Sequence, residues 1–227
     1  MLERFDELTT AHVADACLRS GLPVRTVSLT AVVGGRVAGR VLPVQHMGSI
    51  DVYLEAFENA IPGDVLVVDN GGRRDEACVG DLISAEAQGA GCSGVVIWGL
   101  HRDTVDVQAI GLPLFSLGAL PNGPIHLDPQ PADALSKATI GEWTVTSDDL
   151  VLGDEDGLLF VPADRIEELF DLADSIMATE RRQSEDIRAG RSLREQVNFG
   201  AYLTARAADP SLTFRQHLDA AKGAIEQ

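Results

Sequence analysis

The sequence predicts a mixed α/β fold built around a parallel crossover, on three observations. Two fully apolar runs, DVLVVDNGG at 64–72 and GVVIWG at 94–99, have the length of strands covered on both faces. Between them DLISAEAQGAG at 81–91 reads as a helix ended by glycines, and strand, loop, helix, strand in that order makes the two strands parallel. From Trp143 onward, two apolar runs around Asp154 to Gly157 give a hairpin signal.

The other elements follow along the chain. Thr9 or Thr10 can cap a helix over AHVADACLRSG, which Gly21 and Pro23 close. Residues 27–46 are rich in valine and glycine without helical period, as in twisted strands joined at Gly34 and Gly35. DVYLEAFENAI is a helix stopped by Pro62 and Gly63, and LPLFSLG at 112–118 adds a strand. After Pro162 a helix carries Ile166, Leu169, Phe170, Ala173, Ile176 and Met177 on one face and reaches Arg188. Beyond it, helical spacing around Leu193, Val197 and Leu203 breaks at Pro210. The expected organisation is one α/β domain over 1–190 and a C-terminal helical extension over 191–227.

Composition narrows the function. The 227 residues, 45% hydrophobic, suffice for a full core. With 35 acidic and 18 basic side chains the formal charge is −17, which repels phosphate backbones and anionic membranes, so neither nucleic acid nor membrane is expected as a partner. The first residues, MLERFDELTT, lack the pattern of a secretion signal, and no run approaches a membrane span, which points to a cytoplasmic protein. Cys17, Cys78 and Cys92 show no C-x-x-C spacing and are expected to be buried reduced thiols.

Ligands of parallel crossovers collect at the carboxyl ends of the strands, which singles out the loops NGGRRDEACVGD and GLHRD. Asp81 at the helix start and the pair Arg102 and Asp103 would then face one cleft. The amides of Leu82 and Ile83, together with Arg102, can hold the carboxylate of a small anionic 2-oxo acid. Asp103 can anchor Mg²⁺ or Mn²⁺, hard cations that need few protein ligands. Each residue has a plainer reading: Asp81 as a helix cap, Arg102 and Asp103 as solvated surface charges.

These residues carry a resemblance. The capped N-terminal helix, DVLVVDNGG, GDL, GVVIWGLHRD, LPLFSLG and GDEDGLLFVP resemble the family of the RNase E activity regulator protein A and the class II 4-hydroxy-4-methyl-2-oxoglutarate aldolases, over roughly residues 8–190. The most specific element is Asp81 preceded by Gly80 and followed, after twenty residues, by Arg102 and Asp103. The resemblance implies a swivelling β/β/α fold, a homotrimer or hexamer, and a site at the subunit boundary. It implies that Asp103 holds the divalent ion, Arg102 binds substrate oxygens, and Asp81 positions a water on that ion for proton transfer. The implied reactions are cleavage of 4-hydroxy-2-oxo acids and decarboxylation of oxaloacetate, both through pyruvate enolate. Glu180, or Glu185, would enter from the C-terminal helix of a neighbouring subunit. His101 beside Arg102 is a departure that either contacts the substrate or acts as a hydrogen-bonded loop residue. Arg73 and Arg74 either bind a second substrate carboxylate or pair with Asp75 and Glu76. Two other readings stand: a non-catalytic regulator that binds a ribonuclease or helicase partner, and a related metal enzyme with a sugar-acid or secondary-metabolite substrate. A methyltransferase is disfavoured, since there is no glycine-rich loop with an acidic ribose partner.

Overall fold

The computed structural model describes residues 2–220. Residues 221–227 of the expected C-terminal extension lie outside that range. The first helix, α1 (Thr10–Arg19), begins in a capping box: the Thr9 hydroxyl accepts from the His12 amide, and the His12 ring accepts from the Thr9 amide. Thr10, the other expected cap, is buried and instead donates through its amide and hydroxyl to Asp154. Strands β1 (Arg25–Val27), β2 (Thr30–Val33) and β3 (Val37–Gln45) follow, then α2 (Asp51–Phe57) and β4 (Val65–Asp69). After a short β5 (Ala77–Val79) come α3 (Asp81–Gly89), β6 (Gly94–Trp98), a two-residue β7 (Leu100–His101), α4 (Thr104–Ile110) and β8 (Leu114–Ser116). The chain continues through the hairpins β9 (Ala138–Ile140) with β10 (Trp143–Val145) and β11 (Asp149–Asp154) with β12 (Gly157–Pro162). It ends in α5 (Ile166–Arg188), α6 (Leu193–Gln196), α7 (Phe199–Ala208) and α8 (Phe214–Ala220).

Eight strands form one sheet in the order β1-β12-β11-β3-β4-β6-β8-β2. Its centre is parallel, β3 with β4, β4 with β6 and β6 with β8, as the expected crossover requires. Its margins are antiparallel. The strands joined at Gly34 and Gly35 do not pair with each other: β2 lies at the sheet edge on β8, whereas β3 sits between β11 and β4. The separation follows from burial, because the nine-residue β3, VAGRVLPVQ, is buried along most of its length and fills a central position that the four-residue, largely uncovered β2 cannot.

Side-chain alternation divides the core into three parts. Val41, Val65, Val67, Val96, Phe115, Val151 and Phe160 point to the inner face of the curled sheet, which the β9–β10 hairpin closes through Ala138, Ile140 and Val145. Their neighbours Leu66, Val68, Val95 and Ile97 point outward under α2, α3 and α4. Leu150, Leu152, Leu159 and Val161 point outward under α1 and α5, meeting the predicted stripe from Ile166 to Met177. Each such leucine or phenylalanine contributes about 1.5–3 kcal/mol by leaving water. The two helical layers therefore lie on different stretches of the sheet, which matters for the residues they carry.

All three cysteines are buried and free of disulfides. Burial pushes the thiols up, Cys78 to about 12 and Cys17 and Cys92 to about 11, so they are not thiolates at neutral pH. Among the described residues no helix is long and apolar enough to cross a membrane.

Candidate functional site

The site is assembled by the small parallel pair β5 and β7, which sequence reasoning did not foresee. β4 and β6 end side by side at Asp69 and Trp98, and the amides of Asn70 and Gly72 both donate to the Trp98 carbonyl. The chain then doubles back through Gly71 and Gly72, both at positive φ, and lays β5 along β7 with Val79 opposite His101. The Arg102 amide donates to the Val79 carbonyl at 2.9 Å. The residues that leave this clamp, Gly80 and Asp81 on one strand and Arg102 and Asp103 on the other, are therefore delivered together.

Contact confirms the delivery. A side chain on Gly80 would overlap the Asp103 carboxylate and lie 3.2 Å from Arg102 Cγ and 3.4 Å from Arg102 Nε. Asp103 adopts a left-handed conformation, φ 57° and ψ 41°, shared among the described non-glycine residues only with Asn198. Such a conformation costs on the order of 1–3 kcal/mol and persists only when the surroundings enforce it. It also turns the Asp103 carboxylate away from capping α4, with which it makes no cap hydrogen bond, and toward Arg102 Nε at 3.3 Å. Arg102 and Asp103 keep 45% and 36% of their side chains exposed, so both remain open to a ligand.

Asp81 is the first residue of α3, whose cap position is Gly80, so it is not the cap expected on the plainer reading. Its Oδ1 accepts from the Leu82 amide at 2.8 Å, which corrects the expectation that this amide is open to a substrate. The Ile83 side chain is buried, and its amide has no hydrogen-bond partner among the described residues.

Three other expected site residues are not brought to the cleft. His101, the last residue of β7, is buried with both ring nitrogens engaged, Nδ1 with Ser116 Oγ at 2.8 Å and Nε2 with Thr104 Oγ1 at 3.0 Å. Arg73 is committed to acids of its own loop, with Nη1 3.2 Å from Glu76 and Nε 3.6 Å from Asp75, and is not free for a second carboxylate. Glu180 lies on α5, over a different stretch of the sheet, where it meets His12 Nε2 at 3.2 Å. Within one subunit it does not join Asp81, Arg102 and Asp103.

Sequence reasoning missed two features here. Residues 119–128 form a strap over the site: the Ala77 amide donates to the Asn122 carbonyl at 3.0 Å, the Asp128 amide to Met47 at 2.9 Å, and Gly123 packs so closely on Arg102 that a side chain there would come within 2.7 Å of Nη1. The turn-forming dipeptides in LPNGP were the available signal. The second is Glu76, an acid completely buried at the start of β5. No residue spacing announces it; only the fold around it makes it internal.

Burial also pushes the His46 and His101 imidazoles below the ordinary histidine value, in His46 against the opposing effect of its hydrogen bond to Asn70. The unfolded chain thus binds these protons more readily than the folded one. The stability they contribute is full above about pH 6.5 and is lost as the pH falls below it. In a thermal-unfolding series from about pH 7.5 to 5.5, His46→Gln is expected to lose less Tm than the parent chain. An equal or larger loss in the variant would refute this account, since the general charge of the chain acts on both alike.

Comparison with known proteins adds a relationship. The profile of the RraA-like family, described as aldolase/RraA, matches residues 10–160. DlpA of Legionella pneumophila is 25% identical over 204 residues, 86% of this chain but 33% of DlpA. An uncharacterized protein of Methanocaldococcus jannaschii is 30% identical over 130 residues, 56% of this chain and 61% of its own, so the chain spans less than two thirds of both relatives. A protein of Aromatoleum aromaticum named "Putative 4-hydroxy-4-methyl-2-oxoglutarate aldolase" is 31% identical over 151 residues, 65% of this chain and 94% of that one. Among solved structures, Streptomyces coelicolor RraAS2, described as an unusual member of the RNase ES inhibitor RraA family, superimposes with a TM-score of 0.68 at 26% identity, over 83% of this chain and 94% of that chain.

Proposed function

The chain belongs to the RraA-like aldolase/RraA family, and from that premise we infer that it is a divalent-metal-dependent lyase that cleaves 4-hydroxy-2-oxo acids or decarboxylates oxaloacetate through pyruvate enolate. The observation that supports this reading is the packing of Gly80, the residue before Asp81, against both Arg102 and Asp103.

The residues present fit Mg²⁺ or Mn²⁺. The candidate donors are carboxylate oxygens, Asp103 is half exposed, and the neighbouring glycine leaves its carboxylate uncovered. Among the described residues no group of three or more His, Cys, Asp or Glu side chains could enclose a metal. The ion would therefore rest on Asp103 and water, the usual manner of a cation that gives up its waters reluctantly. When bound, it supplies Lewis-acid stabilisation of the substrate's 2-oxo oxygen.

The chain's own groups do the rest. Arg102 donates to the substrate carboxylate, and its charge opposes the negative charge that builds on the 2-oxo oxygen as the bond between carbons 3 and 4 breaks. The Ile83 amide at the start of α3 offers a further donor to the same carboxylate. In the aldol cleavage the water held by Asp81 takes up the 4-hydroxyl proton as the bond between carbons 3 and 4 breaks and returns a proton to carbon 3, converting enolate to pyruvate. The same enolate arises when carbon dioxide leaves oxaloacetate. Glu180 enters only through a neighbouring copy in a trimer or hexamer, since within its own subunit it faces His12.

The likeness to RraAS2 favours a second reading, a binding protein acting on a ribonuclease. Pyruvate release separates the two. With Mg²⁺, pyruvate is expected from oxaloacetate, 4-hydroxy-4-methyl-2-oxoglutarate or 4-hydroxy-2-oxopentanoate, and EDTA is expected to abolish it. A folded, Mg²⁺-loaded protein that turns over none of the three would sink the lyase reading in favour of the regulator.

A further inference from the structure

Arg102 is held by packing and not by hydrogen bonds. Among the described residues its guanidinium has one ion pair, Nε with Asp103 Oδ2 at 3.3 Å, and donates no hydrogen bond within the chain. Two glycines limit where it can go. Gly80 lies against Cγ and Nε, and Gly123 lies against the tip, where a side chain would come within 2.7 Å of Nη1 and 3.4 Å of Cζ. A long, half-exposed side chain has many rotamers to lose when it grips a ligand. Contacts that restrict those rotamers beforehand reduce that loss at the moment of binding.

The strap is fastened to the same two strands that deliver the site. At its start Ala119 bridges to His101, and the Leu120 amide donates to the His101 carbonyl at 2.9 Å. At Asn122 the backbone carbonyl accepts from the Ala77 amide at 3.0 Å, and Nδ2 donates to the Asp75 carbonyl at 2.8 Å. Two residues past Gly123, the Ile125 amide donates at 2.8 Å to Oε2 of the wholly buried Glu76. Gly123 therefore sits between two ties to the segment that opens β5, and it cannot drift from Arg102 without breaking them.

We propose that Gly123 is a positioning residue for Arg102: the strap, pinned at Asn122 and Ile125, holds the tip of the guanidinium where it meets the substrate carboxylate. The proposal rests on the lyase reading and brings into that reaction a segment outside the motif of Asp81, Arg102 and Asp103.

Gly123→Ala tests it. The Gly123 backbone is not left-handed, so alanine adds no strain, and apart from its chain neighbours the methyl group meets Arg102 alone. Because Arg102 is half exposed and can swing away, Tm should hardly move. With Mg²⁺ and oxaloacetate, kcat/KM for pyruvate release is expected to fall about tenfold or more, the loss lying on kcat. In an Arg102→Lys background, whose shorter side chain carries no Nη1, adding Gly123→Ala should cost less than about twofold. A merely structural role for the strap would lower both backgrounds alike. Calorimetry with oxalate, a stand-in for pyruvate enolate, should show the same pattern in affinity. If Gly123→Ala failed to fold, Asn122→Ala, which removes the side-chain tie to Asp75, should give that pattern at smaller size. Parental kcat/KM in folded Gly123→Ala would overturn the proposal, and so would equal losses in the two backgrounds. A parent chain that releases no pyruvate and binds no oxalate would bring down the lyase reading and the proposal with it, a result distinct from either.

Discussion

Arg102→Ala is expected to lower kcat/KM for pyruvate release by about 10²–10³-fold, the equivalent of about 2–4 kcal/mol for one donor to a developing oxyanion. The loss should fall on kcat, because the negative charge that Arg102 opposes is larger in the transition state than in the bound substrate. Folding should hardly change. The side chain is half exposed and its ion pair with Asp103 is at the surface, where such pairs contribute at most about 1 kcal/mol. Arg102→Lys should recover only part of the activity, since an ammonium lacks the planar fork that grips a carboxylate. Steady-state kinetics with a parallel Tm measurement checks all of this. A variant with near-parental kcat/KM would remove Arg102 from the mechanism.

Gly80→Ala is the smallest change with a comparable effect. The Gly80 backbone is extended, φ −134° and ψ −158°, so alanine introduces no conformational strain. What the methyl group meets is the Asp103 carboxylate and the Arg102 side chain. Both obstacles are the ends of half-exposed side chains that can swing away, so Tm should drop little. The carboxylate so displaced no longer lies where it is needed. Because misplacement by about 1 Å can cost on the order of 10²-fold, kcat should fall by that order and the Mg²⁺ concentration for half-maximal rate should rise. Parental rate and Mg²⁺ dependence in Gly80→Ala would mean that Asp103 does not act from its observed position.

Much of the fold was legible because its signals are local. Val65–Asp69 and Gly94–Trp98 are apolar on both faces, and such runs are strands of a covered sheet wherever they occur. The turn at Asp154 to Gly157 and the stripe on α5 follow from periods of two and 3.6 residues. Asp81, Arg102 and Asp103 were expected in loops that follow Val65–Asp69 and Gly94–Trp98, whereas the structure brings Gly80, Arg102 and Asp103 together where the small pair β5 and β7 ends.

The rest was illegible because it depends on partners far away in the chain. A strand of three residues and one of two carry no pattern, and β5 and β7 exist only because each supplies the other's hydrogen bonds. His101 looks like a ligand beside Arg102, yet at the end of β7 it is buried against Ser116 and Thr104, while Arg102, one residue past the strand, stays half exposed. For Arg73 the sequence left open a substrate carboxylate or pairing with Asp75 and Glu76, and only the fold, which makes Glu76 internal, sets Arg73 beside those acids.

The sequence by itself determined the parallel crossover, the hairpin, the helical stripe of α5 and the motif that joins Asp81 to Arg102 and Asp103, since each is written in residues close together or in a spacing that strand topology converts into proximity. Only the tertiary structure decided which polar side chains face water. It turned Asp103 left-handed, closed His101 into the core, set the strap on Arg102 and buried Glu76, because burial is a property of everything that surrounds a residue and not of its neighbours along the chain.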